Sequence, residues 1–386
     1  MTEEYNNYKG TAFKLSSFFF LHYATLGVIF PFMGYFFKES GFSGTEIGLY
    51  MSIFPAAKFL VTNLWTLIFS KIRHKKIYIG TCILISSVSL IPLIYTTDRF
   101  IVAVIMVIFA STRTGVIPVM DSIAISMDSV IAYGRLRLFG SVGFIITSII
   151  SGIMVDNLGL SGFIWTFTGA GILAALPAIA LDYSSETFTP TKRSERKLTP
   201  ELIIFFTGVT VYLASYSFLY NFFNITVSEA GYSQSWAGYM WAIGVLSEIF
   251  FLYNQDKVLK LFNVKTLIAL SMLLAGVRYV VTGYSDSLWM LALFSTMNGF
   301  AYGTFHLGVM RYIRLHVPQR LKLKAQGIYS GVGFGLGSIT GSALSGLTYD
   351  ISGLTSVWML AFGLSTAGAV IIYFFTGRKK LSEYTV

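Results

Sequence analysis

Apolar runs of about twenty residues recur along this chain from end to end, separated mostly by short polar breaks. A helix needs about 20 apolar residues to cross roughly 30 Å of hydrocarbon. Lipid admits only helices and closed barrels as spanning structures, because every backbone polar group must be satisfied internally. Twelve stretches meet the helical requirement, at 13–37, 46–70, 77–96, 99–127, 138–156 and 160–182, then 200–228, 235–256, 264–284, 287–313, 324–348 and 354–376. With 54% hydrophobic and 12% charged residues and a mean hydropathy of +0.67, a 386-residue chain has too little polar surface for a soluble domain. The expected fold class is an all-α membrane protein of twelve transmembrane helices. The first stretch exceeds a signal-peptide core and no small-residue cleavage site follows it, so it reads as a retained helix. The single cysteine, Cys82, excludes an intrachain disulfide and any cysteine metal cluster.

The net charge of +10 has a topological explanation rather than a nucleic-acid one. Lys71, Arg73, Lys75 and Lys76 follow the second span, and Lys192, Arg193, Arg196 and Lys197 separate the sixth from the seventh. Arg314, Arg320, Lys322 and Lys324 follow the tenth, and Arg378, Lys379 and Lys380 close the chain. The alternate loops hold mainly Asp98, Asp156, Glu229, Asp286 and Asp350, with Lys38 and Arg99 as basic exceptions. The positive-inside rule then puts both termini in the cytoplasm of a plasma (inner) membrane protein.

An internal repeat divides the chain. "GFSGTEIGLY" from Gly41 recurs as "GYSQSWAGYM" from Gly231, and "VGFIITSI" from Val142 as "VGFGLGSI" from Val332, both at an offset of 190. "SGIMVDNLG" from Ser151 resembles "SGLTYDISG" from Ser345, with one extra helical turn inserted. The expected domains are a six-helix half at 1–182, a hydrophilic cytoplasmic linker at 183–199 and a second six-helix half at 200–386. Parallel repeats of this kind commonly enclose a solute site near mid-membrane. The glycines of "GVGFGLGSITGSALSG" read as a face for close helix approach, not as a phosphate loop.

Ionisable side chains inside membrane helices normally face a partner or a watery cavity. Those here are His22, Lys58, Arg113, Asp121, Glu248, Arg278 and His306. Lys58 and Glu248 share the 190 offset with opposite charge, which fits either an anion site opposite a titratable carboxyl or an ion pair that only holds the halves together. Burial and a neighbouring arginine would pull the protonation of Asp121 in opposite directions. Arg113 lies about 80° around an ideal helix from Asp121, so it either lines a cavity or points to a neighbouring helix. Arg278 suits bidentate capture of a carboxylate, from a solute or from Glu248. His306 is read either as a group titrating near neutrality or as a packing histidine. His22 reads as structural. Tyr220, Asn221, Asn224 and Asn298 either hydrogen-bond a solute or join helices.

"YGRLRLFGSVGF" resembles the start of the fifth helix in the lactose permease branch of the major facilitator superfamily, and still more its phenylpropionate-transporter relatives. "GVIFPFMGYFFKESGFSGTEIGLY" is similar to that family's first helix and external loop, and "GTFHLGVMRYI" to the tenth helix of the phenylpropionate branch. The resemblance covers nearly the whole chain and implies the two-half major facilitator fold. It makes Arg137 the site arginine, paired with Asp121, and Arg135 a topology charge. It puts Phe144 where the sugar carriers stack a tryptophan, and it matches Arg278 and Tyr220 to the ninth-helix arginine and seventh-helix tyrosine. The departures count against galactosides. Asn221 and Asn224 replace two aspartates, and Ser295 replaces a lysine. Asn298 and Ala301 replace a histidine and a carboxylate. Val245 stands where a substrate-binding acid is usual, with Glu248 one turn later. Ser70 replaces the aspartate of the loop after the second helix.

The resulting expectation is a secondary transporter, not an enzyme, taking up a small organic solute such as an aromatic carboxylate with protons. Lys58, Asp121, Arg137, Phe144, Tyr220 and Arg278 are the expected solute contacts, and Asp121, Glu248 and His306 the proton candidates. His22, Arg113, Asn221, Asn224 and Asn298 form a second tier. No metal or cofactor is expected, the proton gradient supplying the energy, and no partner beyond solute, protons and lipid, the carrier acting as a monomer. The competing readings are a sugar or nucleoside symporter, an efflux carrier for hydrophobic compounds, and a membrane-embedded receptor or enzyme. Absence of H-E-x-x-H and G-x-S-x-G motifs argues against the enzyme.

Overall fold

In a computed structural model of the chain, the described residues are 2–127, 131–183 and 198–376, and their regular structure is helical. Of the expected linker, residues 184–197 lie outside the described residues, as do the closing cations Arg378, Lys379 and Lys380.

The helices are α1 (Thr2–Glu39), α2 (Gly44–Leu60), α3 (Thr62–Lys71), α4 (Lys75–Val88), α5 (Arg99–Arg113), α6 (Val116–Ser126), α7 (Tyr133–Leu158) and α8 (Leu160–Ala180). They continue with α9 (Pro200–Glu229), α10 (Gln234–Tyr253), α11 (Gln255–Leu261), α12 (Val264–Tyr284), α13 (Leu288–Ser295), α14 (Phe305–His316), α15 (Gln319–Ile328) and α16 (Gly337–Val370). Among the described residues, nine helices are long and apolar enough to span a membrane unaided, and the pair α2–α3, bent by 49°, makes a tenth. The 52-residue run Lys324–Phe375 holds two of the expected spans, parted at Gly353, where φ is 76°. The expected span 287–313 is covered by α13, a π-helical stretch Gly299–Thr304, and α14. Twelve passages result.

Local signals fix the helix ends. Ser43 and Glu46 form a capping box: the Ser43 N–H donates to Glu46 Oε2 at 2.8 Å, and the Glu46 N–H to Ser43 Oγ at 3.2 Å. The Asp98 and Asn263 side chains cap α5 and α12 by accepting from Ile101 and Thr266 N–H at 2.9 and 3.0 Å. Among the described residues, those with positive φ are all glycines, Gly41, Gly159, Gly231 and Gly353. They fall at corresponding places in the repeated segments quoted above, so the repeat extends to backbone conformation. The fifth span starts at Tyr133, five residues before its expected start, because the basic turn "YGRLR" is itself helical. Both arginines therefore ride on α7.

The chain forms two compact units. One comprises residues 1–42, 56–190 and 233–242, the other 43–55, 191–232 and 243–386. Each thus takes in the beginning of α2 or α10 from the other sequence repeat. In the first unit, Phe18, Phe19, Trp65, Phe69, Val119 and Met120 belong to the packed core. There α7 lies directly on α1; a Cβ at Gly143 would stand 2.0 Å from the Phe20 carbonyl oxygen. In the second unit, a Cβ at Gly341 would stand 2.0 Å from the Ala214 carbonyl oxygen, so the glycine face of α16 does bring it against α9.

Candidate functional site

The first unit gathers a mixed-charge cluster from α1, α2, α6 and α7. Arg137 sits over the Tyr23 ring, 3.7 Å from its centroid, and 5.8 Å from that of Phe19. This is cation–π geometry, and the planar guanidinium suits it. Asp121 accepts a hydrogen bond from the Tyr133 hydroxyl at 3.0 Å. Tyr133 also bonds Arg137, so this phenol joins the arginine and the acid that the sequence pairs directly. Lys58, at the end of α2 where its side chain is exposed, lies in the field of both. Arg135, two residues from Arg137, is exposed. Phe144, two turns along α7, meets Trp241 edge-on at 6.5 Å between ring centroids.

The same unit holds a fully buried cation elsewhere. Arg113 is 2% exposed and donates to the Thr25 hydroxyl, to the His22 carbonyl at 3.3 Å and to Ser86 Oγ at 3.4 Å. It also lies 3.5 Å from His22 Nδ1 and 5.6 Å from the centre of Phe167. Of the two orientations left open by the sequence, Arg113 takes the one toward neighbouring helices α1 and α4. His22, whose sequence context suggests no partner, is the wall it rests on.

In the second unit, Asn298 is the junction. Its Oδ1 accepts from Arg278 Nη1 at 2.6 Å and from the Tyr216 hydroxyl at 2.7 Å, while its Nδ2 donates to the Glu248 carboxylate. A neutral amide therefore joins the acid of α10 to the arginine of α12. Arg278 is 4% exposed and Asn298 3%. Direct pairing of two groups from different helices would give one ion pair; the amide lets each keep a hydrogen bond and separates their charges. The π-helical stretch begins at the next residue, and such irregular turns often mark functional sites. Its loosened backbone is sealed by Ser247, whose hydroxyl donates to Thr296 O at 2.5 Å and accepts from Gly299 N–H at 2.7 Å. Tyr212 donates to Ala301 O at 2.9 Å.

Aromatic side chains surround this junction. The Tyr216 ring packs against Tyr220 at 5.3 Å and Tyr302 at 4.9 Å. His306 Nδ1 is 2.8 Å from the Tyr329 hydroxyl, and its ring stacks near Tyr302 at 6.4 Å between centroids. Asn221 joins helices, donating to Ser345 Oγ at 2.9 Å, and Asn224 is buried at 2% exposure. The sequence reading missed Tyr23, Tyr133, Trp241, Tyr216 and Tyr302. Their only signal was abundance, since 16% of the chain is aromatic and most such residues merely pack.

The matches to known proteins agree with one another in kind. A family model described as the MFS_1 like family matches residues 12–360. The chain is 27% identical over 369 residues to the Uncharacterized transporter YwbF of Bacillus subtilis, covering 92% of this chain and 90% of that one. It is 22% identical to the Probable 3-phenylpropionic acid transporter of Escherichia coli, covering 89% and 92%, and 23% identical to the Xanthosine permease of that organism, covering 94% and 95%. Among solved structures, the nucleoside transporter NupG superposes with a TM-score of 0.82 at 18% identity, covering 94% of this chain and 98% of that one. An integral membrane chain with this fold, matched from residue 12 to 360, belongs to the MFS_1 like family of transporters.

Proposed function

We propose that the protein is a proton-coupled symporter of a small organic carboxylate, aromatic acids being the favoured class. The observation that carries this reading is the first unit's cluster, where Arg137 stands on the Tyr23 ring, Tyr133 links it to one acid, Asp121, and Lys58 lies in the field of both. A solute carboxylate would complete that charge set, and a solute ring would find Tyr23 and Phe144 beside it. The relative named for 3-phenylpropionic acid supports the same chemistry. Asp121 orients the basic pair through Tyr133. Glu248 carries the coupled proton, with Asn298 relaying its state to Arg278. His306, held by Tyr329, is the secondary proton station. Both termini are cytoplasmic by the positive-inside rule, and the carrier acts as a monomer driven by the proton gradient alone.

Purified protein in liposomes tests the reading. An inward proton gradient should drive accumulation of a phenyl-substituted carboxylate and a protonophore should abolish it. Glu248→Gln, a permanently neutral mimic, should lose concentrative uptake while keeping solute exchange across the membrane. Unchanged uptake and pH dependence in Glu248→Gln would remove the proton role from Glu248. A second reading, nucleoside symport, is favoured by the 23% match to a xanthosine permease and by the neutral amides Asn221 and Asn224 in place of aspartates. Competition by nucleosides, with none by carboxylates, would establish it instead.

A further inference from the structure

Away from these clusters, the second unit holds a cavity of about 470 Å³ framed by α11, α14 and α15. Its polar wall is Arg311 and Arg314 from α14, Lys322 from α15 and Asp256 from α11; its apolar wall includes Leu307 and Met310. The arginines are three apart, so they share one face of α14. Three cations against one carboxylate leave two positive charges uncompensated. Arg314, Lys322 and Asp256 enter no ion pair with another described residue. Arg311 Nε is shut off from solvent and has no hydrogen-bond partner among the described residues. A guanidinium N–H closed off in this way carries the cost of an unmade hydrogen bond.

We propose that this cavity is a binding site for a phosphate group borne on an apolar body, separate from the transported solute. Paired arginines match phosphate oxygens in fork geometry, and the nearby ammonium adds a point charge. Leu307 and Met310 offer the apolar body a surface. The volume falls within the range of small-ligand sites and is far larger than a bare phosphate needs. Asp256 selects among phosphates: it repels the most highly charged and accepts a hydrogen bond from a hydroxyl next to the phosphate. A glycerol-type phospholipid headgroup and a soluble phosphate ester share this chemistry.

The test uses the full chain in neutral detergent, with native mass spectrometry and thermal-shift titration. The probes are phosphatidylglycerol, inorganic phosphate and, as an apolar control without phosphate, diacylglycerol. Phosphatidylglycerol should bind, and Arg311→Gln/Arg314→Gln should raise its apparent Kd by about tenfold or more. Asp256→Asn should lower it several-fold, a gain that a misfolded protein would not give. The same variant pattern seen with inorganic phosphate alone would support the site and assign it to a soluble ligand. Should the double variant not fold, Lys322→Gln and Asp256→Asn carry the test, with opposite shifts expected. The proposal is overturned if neither phosphate probe responds to these variants, or if diacylglycerol binds as tightly as phosphatidylglycerol.

Discussion

Asn298 holds together two ionic side chains that would otherwise be stranded in an apolar interior. Asn298→Ala leaves the Arg278 Nη1 donor, the Tyr216 hydroxyl and the Glu248 carboxylate each short of a partner. Each buried group left unsatisfied costs about 1–3 kcal/mol, more where it is charged. The expected result is a clear loss of thermal stability in detergent, readable by differential scanning fluorimetry, together with loss of transport. Arg137→Lys probes the other cluster differently. Lysine keeps the charge but forfeits the planar stack on Tyr23 and the fork of donors of a guanidinium. Solute affinity should fall about tenfold, by equilibrium binding, with little change in melting temperature. Arg278 and Glu248 were legible in the sequence because charge in an apolar run is conspicuous. The bridging role of Asn298 was not, since a neutral amide in a helix most often only joins neighbours, and nothing local shows which neighbours it has.

Two aspartates that the sequence assigns only to acidic loops act as helix caps instead. Asp350, within α16, accepts from the Gly44 and Thr45 N–H groups, each at 2.7 Å, and from the Thr45 hydroxyl at 2.6 Å. Asp156, near the end of α7, accepts from Gln234 and Ser235 N–H at 2.8 and 2.9 Å and from the Ser235 hydroxyl. The capped residues Gly44 and Gln234, and likewise Thr45 and Ser235, are separated by the same 190 positions as the repeat. A carboxylate at a helix N-terminus satisfies orphan N–H groups and meets the positive end of the helix dipole. Asp350→Ala and Asp156→Ala should each destabilise by about 0.5–2 kcal/mol. The two share no partner, so their effects on unfolding should add within a few tenths of a kcal/mol. A double variant far less stable than the sum would show the caps to be coupled. The sequence placed α2 and α10 correctly but not the π-helical stretch after Asn298, because "GFAYGT" has the apolar pattern of an ordinary helix. Ser247 of α10 packs against that turn, where a Cβ on Gly299 would stand 2.2 Å from its hydroxyl oxygen.

Neither compact unit is a continuous half of the chain, since each contains the first residues of α2 or α10 from the other repeat. We expect residues 1–190 expressed alone to be unstable, because the segment 43–55 would lose Asp350 and the glycine face of α16. Co-expression of 1–190 with 191–386 as separate chains should restore a folded carrier, measured as recovered uptake and co-purification. Stable, monodisperse 1–190 on its own would contradict this. The sequence by itself determined the membrane class, the number of passages, the internal repeat and the short list of ionisable residues within the spans. All four follow from composition and from periodicities that a one-dimensional chain displays. Only the tertiary structure decided what lies between those charges: Tyr133 between Asp121 and Arg137, Asn298 between Glu248 and Arg278, and the contact of Arg113 with His22. The physical reason is that spacing along a helix fixes which face a side chain occupies, whereas its partner depends on how other helices pack against that face. Neutral tyrosines and amides become junctions only there.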